Sequence, residues 1–227
     1  MKIERLKTDR YKVQSPFAVL AVGSGACTCM RHVSGNEYLR QNVHFLFCDS
    51  VPEGCGHDRE TGRRKAQTVL ETIDESLGRR VKKVIVVATL GGGTGTGGAP
   101  LIAEHLAKTG RGVCSMLTLP FGFEGGAVME QALQAVAGIT RCSRTTVVLN
   151  EEELRKCYKS WKVSAYFNEV EKCMTEILLE EIRPHGVGYD STVIIDRYGD
   201  WKPECCNAVP WFRRLLARFG RKERRDA

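Results

Sequence analysis

Hydrophobic residues along the chain form short unbroken runs separated by longer stretches with helical periodicity. Short β-type runs lie at positions 17–22, 43–48, 84–88, 112–119 and 145–149, and the third of them is unbroken and rich in β-branched residues. An unbroken apolar run is typical of a strand that is buried on both faces, as in a parallel sheet. The pattern therefore predicts five buried strands in one sheet.

Between these strands, apolar side chains recur at three- and four-residue spacing, which indicates amphipathic helices. The helical stretches are residues 62–77, 100–108, 127–139 and 164–182. Strands that alternate with helices form a mostly parallel sheet covered on both faces. We therefore expect an α/β fold, a Rossmann-like three-layer sandwich with a mostly parallel sheet. After Pro184 the pattern breaks up, and no element is predicted before the basic C-terminal segment.

Composition narrows the class of protein. Of 227 residues, 42% are hydrophobic and 27% are charged, the balance of a soluble globular protein. No apolar run reaches the roughly 18 residues of a membrane span, and the charged N-terminus does not resemble a signal peptide. These features predict a cytoplasmic protein. The ten cysteines lack paired metal-binding spacings, so we interpret them as reduced thiols and expect no metal site built from them.

Positive charge is concentrated at the C-terminus. Residues 209–227 carry seven cations and two anions, so most of the net charge of +7 lies there. The body lacks the basic surface that nucleic acid requires, and no nucleic-acid partner is expected. Within residues 209–225, aromatic and leucine side chains share one helical face and arginines the other. Such a helix either contacts a membrane surface or a partner, or it packs on the protein body.

The strongest candidate for chemistry follows the third strand and precedes a helix near Pro100. Six of the eight residues from 91 to 98 are glycines. Glycines allow backbone N–H groups to approach a phosphate without a Cβ clash, and threonine hydroxyls add donors. The predicted phosphate-binding residues here are Gly91, Gly92, Gly93, Thr94, Gly95, Thr96 and Gly97.

A second candidate loop follows the first strand and opens a helix. Its residues are Gly23, Ser24, Gly25, Ala26, Cys27 and Thr28. A strand, a G-x-G loop and a helix also occur in NAD-binding domains, which makes an NAD-dependent oxidoreductase an alternative. Thr28 stands where the NAD fingerprint requires a third glycine, although Asp49 could supply its acid. The alternative does not account for the loop at residues 91–97.

Together, in this order, the two loops resemble those of the tubulin/FtsZ family of GTPases. Residues 91–97 reproduce that family's GGGTGTG signature in full, and residues 21–33 align without gaps to its first phosphate loop. Residues 54–63 are similar to the γ-phosphate loop of FtsZ, and residues 118–125 to its PF-x-FEG segment. The resemblance covers residues 15–193 and is nearer to FtsZ than to eukaryotic tubulin.

The resemblance implies a site for GTP or GDP that could also hold Mg²⁺. Gly54 and Gly56 would contact the γ-phosphate, and Glu124 the ribose. Asn150 and Asn168 would recognise guanine, because an amide offers both a donor and an acceptor to the base, and Glu169 would accept from its N1 and N2. Self-association, or contact with an FtsZ-type filament partner, is implied as well.

Two departures from the family concern ligand contacts and catalysis. FtsZ has an Arg where this chain has Val128, which removes one phosphate or ribose contact. FtsZ also supplies an Asn-x-Asp-x-x-Asp segment to the neighbouring subunit, and the matching positions here are Gly188, Asp190 and Val193. Only Asp190 remains as a candidate catalytic acid, so slow or partner-dependent GTP hydrolysis is expected.

The sequence therefore predicts a GTP-binding domain with its central helix over residues 1–193. Residues 194–227 are too few for the FtsZ C-terminal domain, and we expect a vestigial region that ends in the basic helix. The predicted function is a GTP- or GDP-binding protein that assembles weakly or regulates a cytoskeletal or division filament. A peripheral position at the membrane would follow if the basic helix contacts lipid.

Overall fold

The computed structural model describes residues 1–6, 15–50, 52–152, 163–182 and 191–195, with the backbone alone at residues 163–166, 169 and 191–195. These residues build a seven-stranded sheet. Its strands are β1 (Lys2–Arg5), β2 (Phe17–Val22), β3 (His44–Asp49), β4 (Lys83–Thr89), β5 (Gly112–Leu119), β6 (Thr145–Asn150) and β7 (Ser191–Ile195).

The strand order is β1-β3-β2-β4-β5-β6-β7, and every pairing is parallel except that of β1 with β3. From β2 the chain first moves to β3 on one side and then returns to β4 on the other. The order therefore reverses between β2 and β4. In open α/β sheets, a crevice forms at such a point, beyond the carboxyl ends of the strands.

Helices cover both faces of the sheet. They are α1 (Ser24–Val33), α2 (Glu37–Asn42), α3 (Arg59–Gln67), α4 (Leu70–Leu77), α5 (Ala99–Lys108), α6 (Gly126–Thr140) and α7 (Val163–Glu181). One apolar cluster joins the sheet to α3, α4, α5 and α6. The other joins the opposite face to α1, α2 and α7. The Rossmann-like three-layer sandwich predicted from the sequence is confirmed.

The five predicted strands occur with boundaries that agree to within one residue, and so do three of the four predicted helices. The fourth, predicted over residues 62–77, is wrong as a single helix, because α3 ends at Gln67 and α4 begins at Leu70. The Thr68 hydroxyl donates to the Lys65 carbonyl, a local bond that competes with helix continuation. Val69 then leaves the helical region at φ −117° and ψ 3°.

Both outer strands were missed by the sequence analysis. Strand β1 is short and mostly polar at the edge of the sheet, so it has no apolar signature. Strand β7 lies in the region where no element was predicted, and Val193 belongs to it, in register with Val147. The signal was present as a short β-branched run at residues 192–195. The predicted division at residue 193 stays a prediction, since residues 196–227 lie outside the described part.

All seven cysteines within the described residues are free, and four of them are buried. Desolvation raises the pKa of the Cys27, Cys48 and Cys173 thiols to about 12. Since the thiolate is the reactive form, these three behave as small apolar side chains. In the part of the chain that the structure describes, no helix combines the length and apolar character needed to cross a membrane.

Candidate nucleotide site

The two glycine-rich loops meet where the strand order reverses. The first loop leaves the carboxyl end of β2, and the second leaves the carboxyl end of β4. Gly23 has a φ of +92°, and a Cβ atom placed on it would lie 3.3 Å from the backbone nitrogen of Gly95. Only glycine combines this backbone angle with so close an approach. The contact brings both predicted phosphate loops to one crevice.

The first loop leads directly into a helix N-terminus. Helix α1 begins at Ser24, has no acidic residue in its first turn, and exposes Ser24, Gly25 and Thr28. The first N–H groups of a helix lack intrahelical acceptors and favour an anion. Ala26 and Cys27 are buried, and the Cys27 thiol is directed at the Ala21 carbonyl. These two residues can therefore offer a phosphate only their backbone.

A carboxylate holds the first loop in place. The Ser24 hydroxyl donates to Oδ1 of Asp49 at 2.9 Å, and the Ser50 backbone N–H donates to the same oxygen at 2.7 Å. The Ser50 hydroxyl lies 2.6 Å from that of Thr94, in the second loop. The end of β3 thus connects the two loops through side-chain hydrogen bonds.

The second loop adopts helical conformation earlier than predicted. Residues Thr94–Gly98 form a π-helical turn that continues into α5, so the helical N-terminus lies within the glycines and not at Pro100. The Thr96 hydroxyl accepts from the Gly91 N–H at 2.9 Å, and both threonines are buried. Their hydroxyls stabilise the loop from inside. The N–H groups of Gly91, Gly93 and Thr96 donate to acceptors within the protein, so the predicted phosphate contacts of this loop would fall to its other N–H groups.

Close packing against α3 explains several glycines of the second loop. A Cβ atom on Gly93 would overlap the Asp58 carbonyl oxygen, and one on Gly97 would overlap that of Arg59. Gly95 is enclosed in the same way by the Thr89 carbonyl. Gly92 alone in this set is exposed and has open space around its Cβ position. The glycines therefore serve main-chain packing as well as any approach to phosphate.

The loop over residues 54–58 closes one side of the crevice. The Gly93 N–H donates to the Gly56 carbonyl, and Nδ1 of His57 lies 2.8 Å from the Gly91 carbonyl oxygen. Asp58 caps α3 by accepting from the N–H groups of Glu60 and Thr61. Hydrogen bonds from Thr61 keep the pKa of the Asp58 carboxyl below its ordinary value. Sequence analysis singled out Gly54 and Gly56 here but missed His57.

Glu124 lies at the opposite side of the second loop. Its Oε1 accepts from the Phe121 N–H at 2.8 Å. A Cβ atom on Gly91 would lie 3.2 Å from Oε2 of Glu124 and 3.5 Å from Cγ1 of Val128. Two residues singled out from the sequence are thus neighbours of this loop. They are Glu124, which is predicted to bind ribose, and Val128, which stands where FtsZ has an Arg.

The predicted guanine-binding residues are described in part. Asn150 is half-buried at the carboxyl end of β6, and Asn168 is exposed on α7. The Glu169 side chain and Asp190 lie outside the described residues, as does the basic segment 209–225. The roles of Asn150 and Asn168 in guanine recognition stay predictions.

Glu151, directly after β6, is a functional candidate that sequence reasoning missed. It is only 9% exposed. Desolvation raises the pKa of its carboxyl to about 7; a hydrogen bond with Thr118 lowers this pKa, and the nearby Glu124 charge raises it. An acid at the carboxyl end of a parallel strand was the available signal, the same one that drew attention to Asp49.

Fold and loops together define a Rossmann-like α/β domain, an architecture in which nucleotides bind at the carboxyl ends of the strands. The family model "Tubulin/FtsZ family, GTPase domain" matches residues 29–159 of this chain. The chain therefore belongs to the Tubulin/FtsZ family. The match begins after the first glycine loop, so the role of that loop depends on the geometry described above.

Similar proteins have the same family identity. The chain is 32% identical over 199 residues to "Cell division protein FtsZ 1" of Pyrococcus horikoshii, covering 79% of this chain and 52% of that protein. It is 28% identical over 179 residues to "Cell division protein FtsZ" of Porphyromonas gingivalis, covering 69% and 39%. The chain thus spans about half, or less, of the length of these curated relatives.

Solved structures share the fold. An empty FtsZ dimer of M. jannaschii matches with a TM-score of 0.66 and 21% identity, over 79% of this chain and 58% of that one. GDP-bound CetZ1 of Haloferax volcanii matches with a TM-score of 0.58 and 22% identity, over 70% and 58%. Neither comparison favours the NAD-dependent oxidoreductase considered above.

Proposed function

We propose that this protein binds GTP and GDP at the crevice between the two glycine-rich loops. The observation that carries the proposal is the contact of Gly23 with Gly95 at the point where the strand order reverses. There the N-terminus of α1 and the helical start at Thr94 both offer backbone N–H groups to phosphate. Glu124, which lies beside Gly91, would contact the sugar.

Guanine specificity would come from Asn150 and Asn168, with Glu169 accepting from the base. Mg²⁺ is usually bound by one or two carboxylates together with substrate phosphates. Asp49 fits this requirement, because its carboxylate is already hydrogen-bonded to Ser24 at the first loop. When bound, the cation would neutralise phosphate charge. Among the described residues, no group of three His, Cys, Asp or Glu side chains could hold it without the nucleotide.

Isothermal titration with GTP, GDP, ATP and NAD tests the proposal. We expect GTP and GDP to bind at least about tenfold more tightly than ATP or NAD, a difference of about 1.4 kcal/mol. Gly92→Trp should abolish binding while the protein stays folded, because the indole would extend from an exposed position into the crevice. Gly95 is unsuitable for this test, since any side chain there meets the Thr89 carbonyl. Tight NAD binding without GTP binding would contradict the proposal.

We further propose slow or partner-dependent hydrolysis with Asp190 as the remaining acid. The support is from sequence, since Gly188 and Val193 replace the other polar residues of the family segment. We expect turnover well below the enzyme median of roughly 10 per second, rising with protein concentration and falling in Asp190→Ala. Phosphate release measured over a dilution series checks this. Fast turnover that is independent of concentration would argue against a contribution from a neighbouring subunit.

Weak self-association, or regulation of a division or cytoskeletal filament in the cytoplasm, fits the family and the names of its relatives. One solved relative is described as a dimer and another, CetZ2, as a GTPγS-bound protofilament. Residues 209–225 would add contact with a membrane surface or partner. A chain ending at residue 209 that still floats with anionic liposomes would exclude the lipid role, because it lacks the cations that the attraction requires.

A further inference from the structure

We propose that a cleft between α3, α5 and α6 binds a small polyanion, a molecule that carries two or more carboxylate or phosphate groups. The cleft has a volume of about 470 Å³, within the range of roughly 300 to 1,000 Å³ that is typical of small-molecule sites. It shares only Thr96 and Gly97 with the proposed nucleotide crevice. The proposal therefore does not depend on nucleotide binding.

Three arginines bring positive charge to this cleft from two of its walls. Arg59 and Arg63 lie one turn apart on α3, so they share one face of that helix. Arg141 directly follows α6, and its Nη2 lies 3.9 Å from the Cβ position of Gly138. The Arg141 guanidinium is therefore held against the C-terminal end of α6, on a different wall from the other two.

The arginines of α3 have different local roles. Nη1 of Arg59 donates to Oε1 of Gln134 at 2.6 Å, a hydrogen bond that joins α3 to α6. Arg63 is exposed and makes no ion pair with any residue that the structure describes. A guanidinium binds a carboxylate or phosphate through two parallel hydrogen bonds. Arg59 thus helps to fix the walls of the cleft, and Arg63 is available to a ligand.

The acidic residues of the cleft do not cancel this charge. Glu60 lies 3.8 Å from Nε of Arg59, and Oε1 of Glu104 accepts from Nζ of Lys108 at 2.6 Å. Three arginines and Lys108 face these two carboxylates, so four cations against two anions leave an excess of two positive charges. A site with this balance favours a ligand that carries more than one negative charge.

Glu104 shows that the arginines of the two walls act on the same point. A hydrogen bond from Lys108 lowers the pKa of the Glu104 carboxyl below its ordinary value, and the charges of Arg63 and Arg141 lower it further. The Glu104 carboxylate lines the cleft between these guanidiniums. A bound anion would compete with it for them, so removal of its charge should strengthen binding of the anion.

Four substitutions test this arrangement. Arg63→Ala removes the available guanidinium, and Arg141→Lys keeps the charge on the second wall but removes the planar fork. Glu104→Gln removes the competing charge. Arg64→Ala is the matched control, because Arg64 is the exposed neighbour of Arg63 on α3 and donates to Oγ1 of Thr61 instead of lining the cleft.

Isothermal titration with citrate and with inorganic pyrophosphate measures binding, with GDP in excess so that a filled crevice does not compete. We expect the parent to bind at least one probe with a Kd below about 1 mM. Arg63→Ala and Arg141→Lys should each weaken binding about tenfold, whereas Arg64→Ala should change it less than about twofold. Glu104→Gln should tighten it about threefold or more. Tighter binding of citrate would identify carboxylates as the preferred groups, and tighter binding of pyrophosphate would identify phosphates.

Thermal melts check that the exposed variants Arg63→Ala and Arg64→Ala stay folded, within about 3 °C of the parent. Absence of binding by both probes would overturn the proposal. Equal losses in Arg63→Ala and Arg64→Ala would also overturn it, because they would indicate general attraction to a basic surface. A parent that binds citrate or pyrophosphate in the expected pattern but does not bind GDP would contradict the proposed function alone.

Discussion

The two glycine-rich loops have similar sequences but different constraints. In the first loop, Gly23 requires a positive φ, whereas Gly25 is limited by a side chain, since its Cβ position lies 2.7 Å from Oγ1 of Thr89. In the second loop, Gly93, Gly95 and Gly97 are limited by main-chain carbonyl oxygens. A side chain can move away, but the backbone of a packed strand or helix cannot. The two loops therefore need glycine for different physical reasons: backbone angle and a neighbouring side chain in the first, and close main-chain packing in the second.

The largest expected effect comes from adding a methyl group where the backbone is closest. Gly97→Ala would place Cβ on the Arg59 carbonyl oxygen and separate the second loop from α3. We expect the free energy of unfolding to fall by about 3 kcal/mol or more, the upper range for overpacking. Urea denaturation followed by circular dichroism checks this.

Gly92→Ala is the matched control, because nothing lies within 4 Å of its Cβ position. Its stability should stay within about 0.5 kcal/mol of the parent, as for an exposed substitution. Equal stability of the two alanine variants would contradict the close packing of the second loop on α3.

The acidic residues near the two loops also lie in different environments. Asp49, beside the first loop, accepts two hydrogen bonds at one oxygen, whereas Glu151, near Glu124, is almost fully buried. Burial raises the pKa of the Glu151 carboxyl in the folded protein from its ordinary value of 4.5 to about 7. The folded state therefore binds more protons between these values, and stability falls as pH rises from about 4.5 to 7.

Glu151→Gln should remove that loss. We expect the variant and the parent to melt together near pH 4.5, where the Glu151 carboxyl is neutral in the folded state. At pH 8 the variant should be more stable by about 2 to 3 kcal/mol, or roughly 5 to 10 °C. Thermal melts across this range check it, with the exposed Glu130→Gln as control. A constant difference at all pH values would mean that Glu151 is not buried as a titrating acid.

The smallest effect tests the side-chain limit of the first loop. Gly25→Ala should cost about 1 kcal/mol, because the new methyl group meets Oγ1 and Cγ2 of Thr89. In a Thr89→Ala background that contact is absent, and the same substitution should be neutral or stabilising in a helix. A double-mutant cycle measures the coupling. If the effects of the two substitutions were additive, Thr89 would not be the residue that limits the size of the side chain at position 25.

Much of the fold could be predicted, because strands buried on both faces require continuous apolar runs. Runs such as residues 84–88 carry that signal in their own side chains. Edge strands lack this signal. Strand β1 has a polar pattern, and the apolar run of β7 is too short to be recognised from local sequence alone. The division between α3 and α4 depends on a local hydrogen bond at Thr68, which periodicity does not represent.

The sequence by itself determined the layer architecture, the family, and the presence of two glycine-rich loops at strand ends, since parallel strands present their carboxyl ends at one edge. Only the tertiary structure decided which glycines are needed for packing, that His57 contacts Gly91, and that Glu151 is buried. These features depend on residues far apart in the chain, as in the 34 positions between His57 and Gly91. Local propensity and spacing carry no information about such approaches, because they arise when helices dock on the sheet.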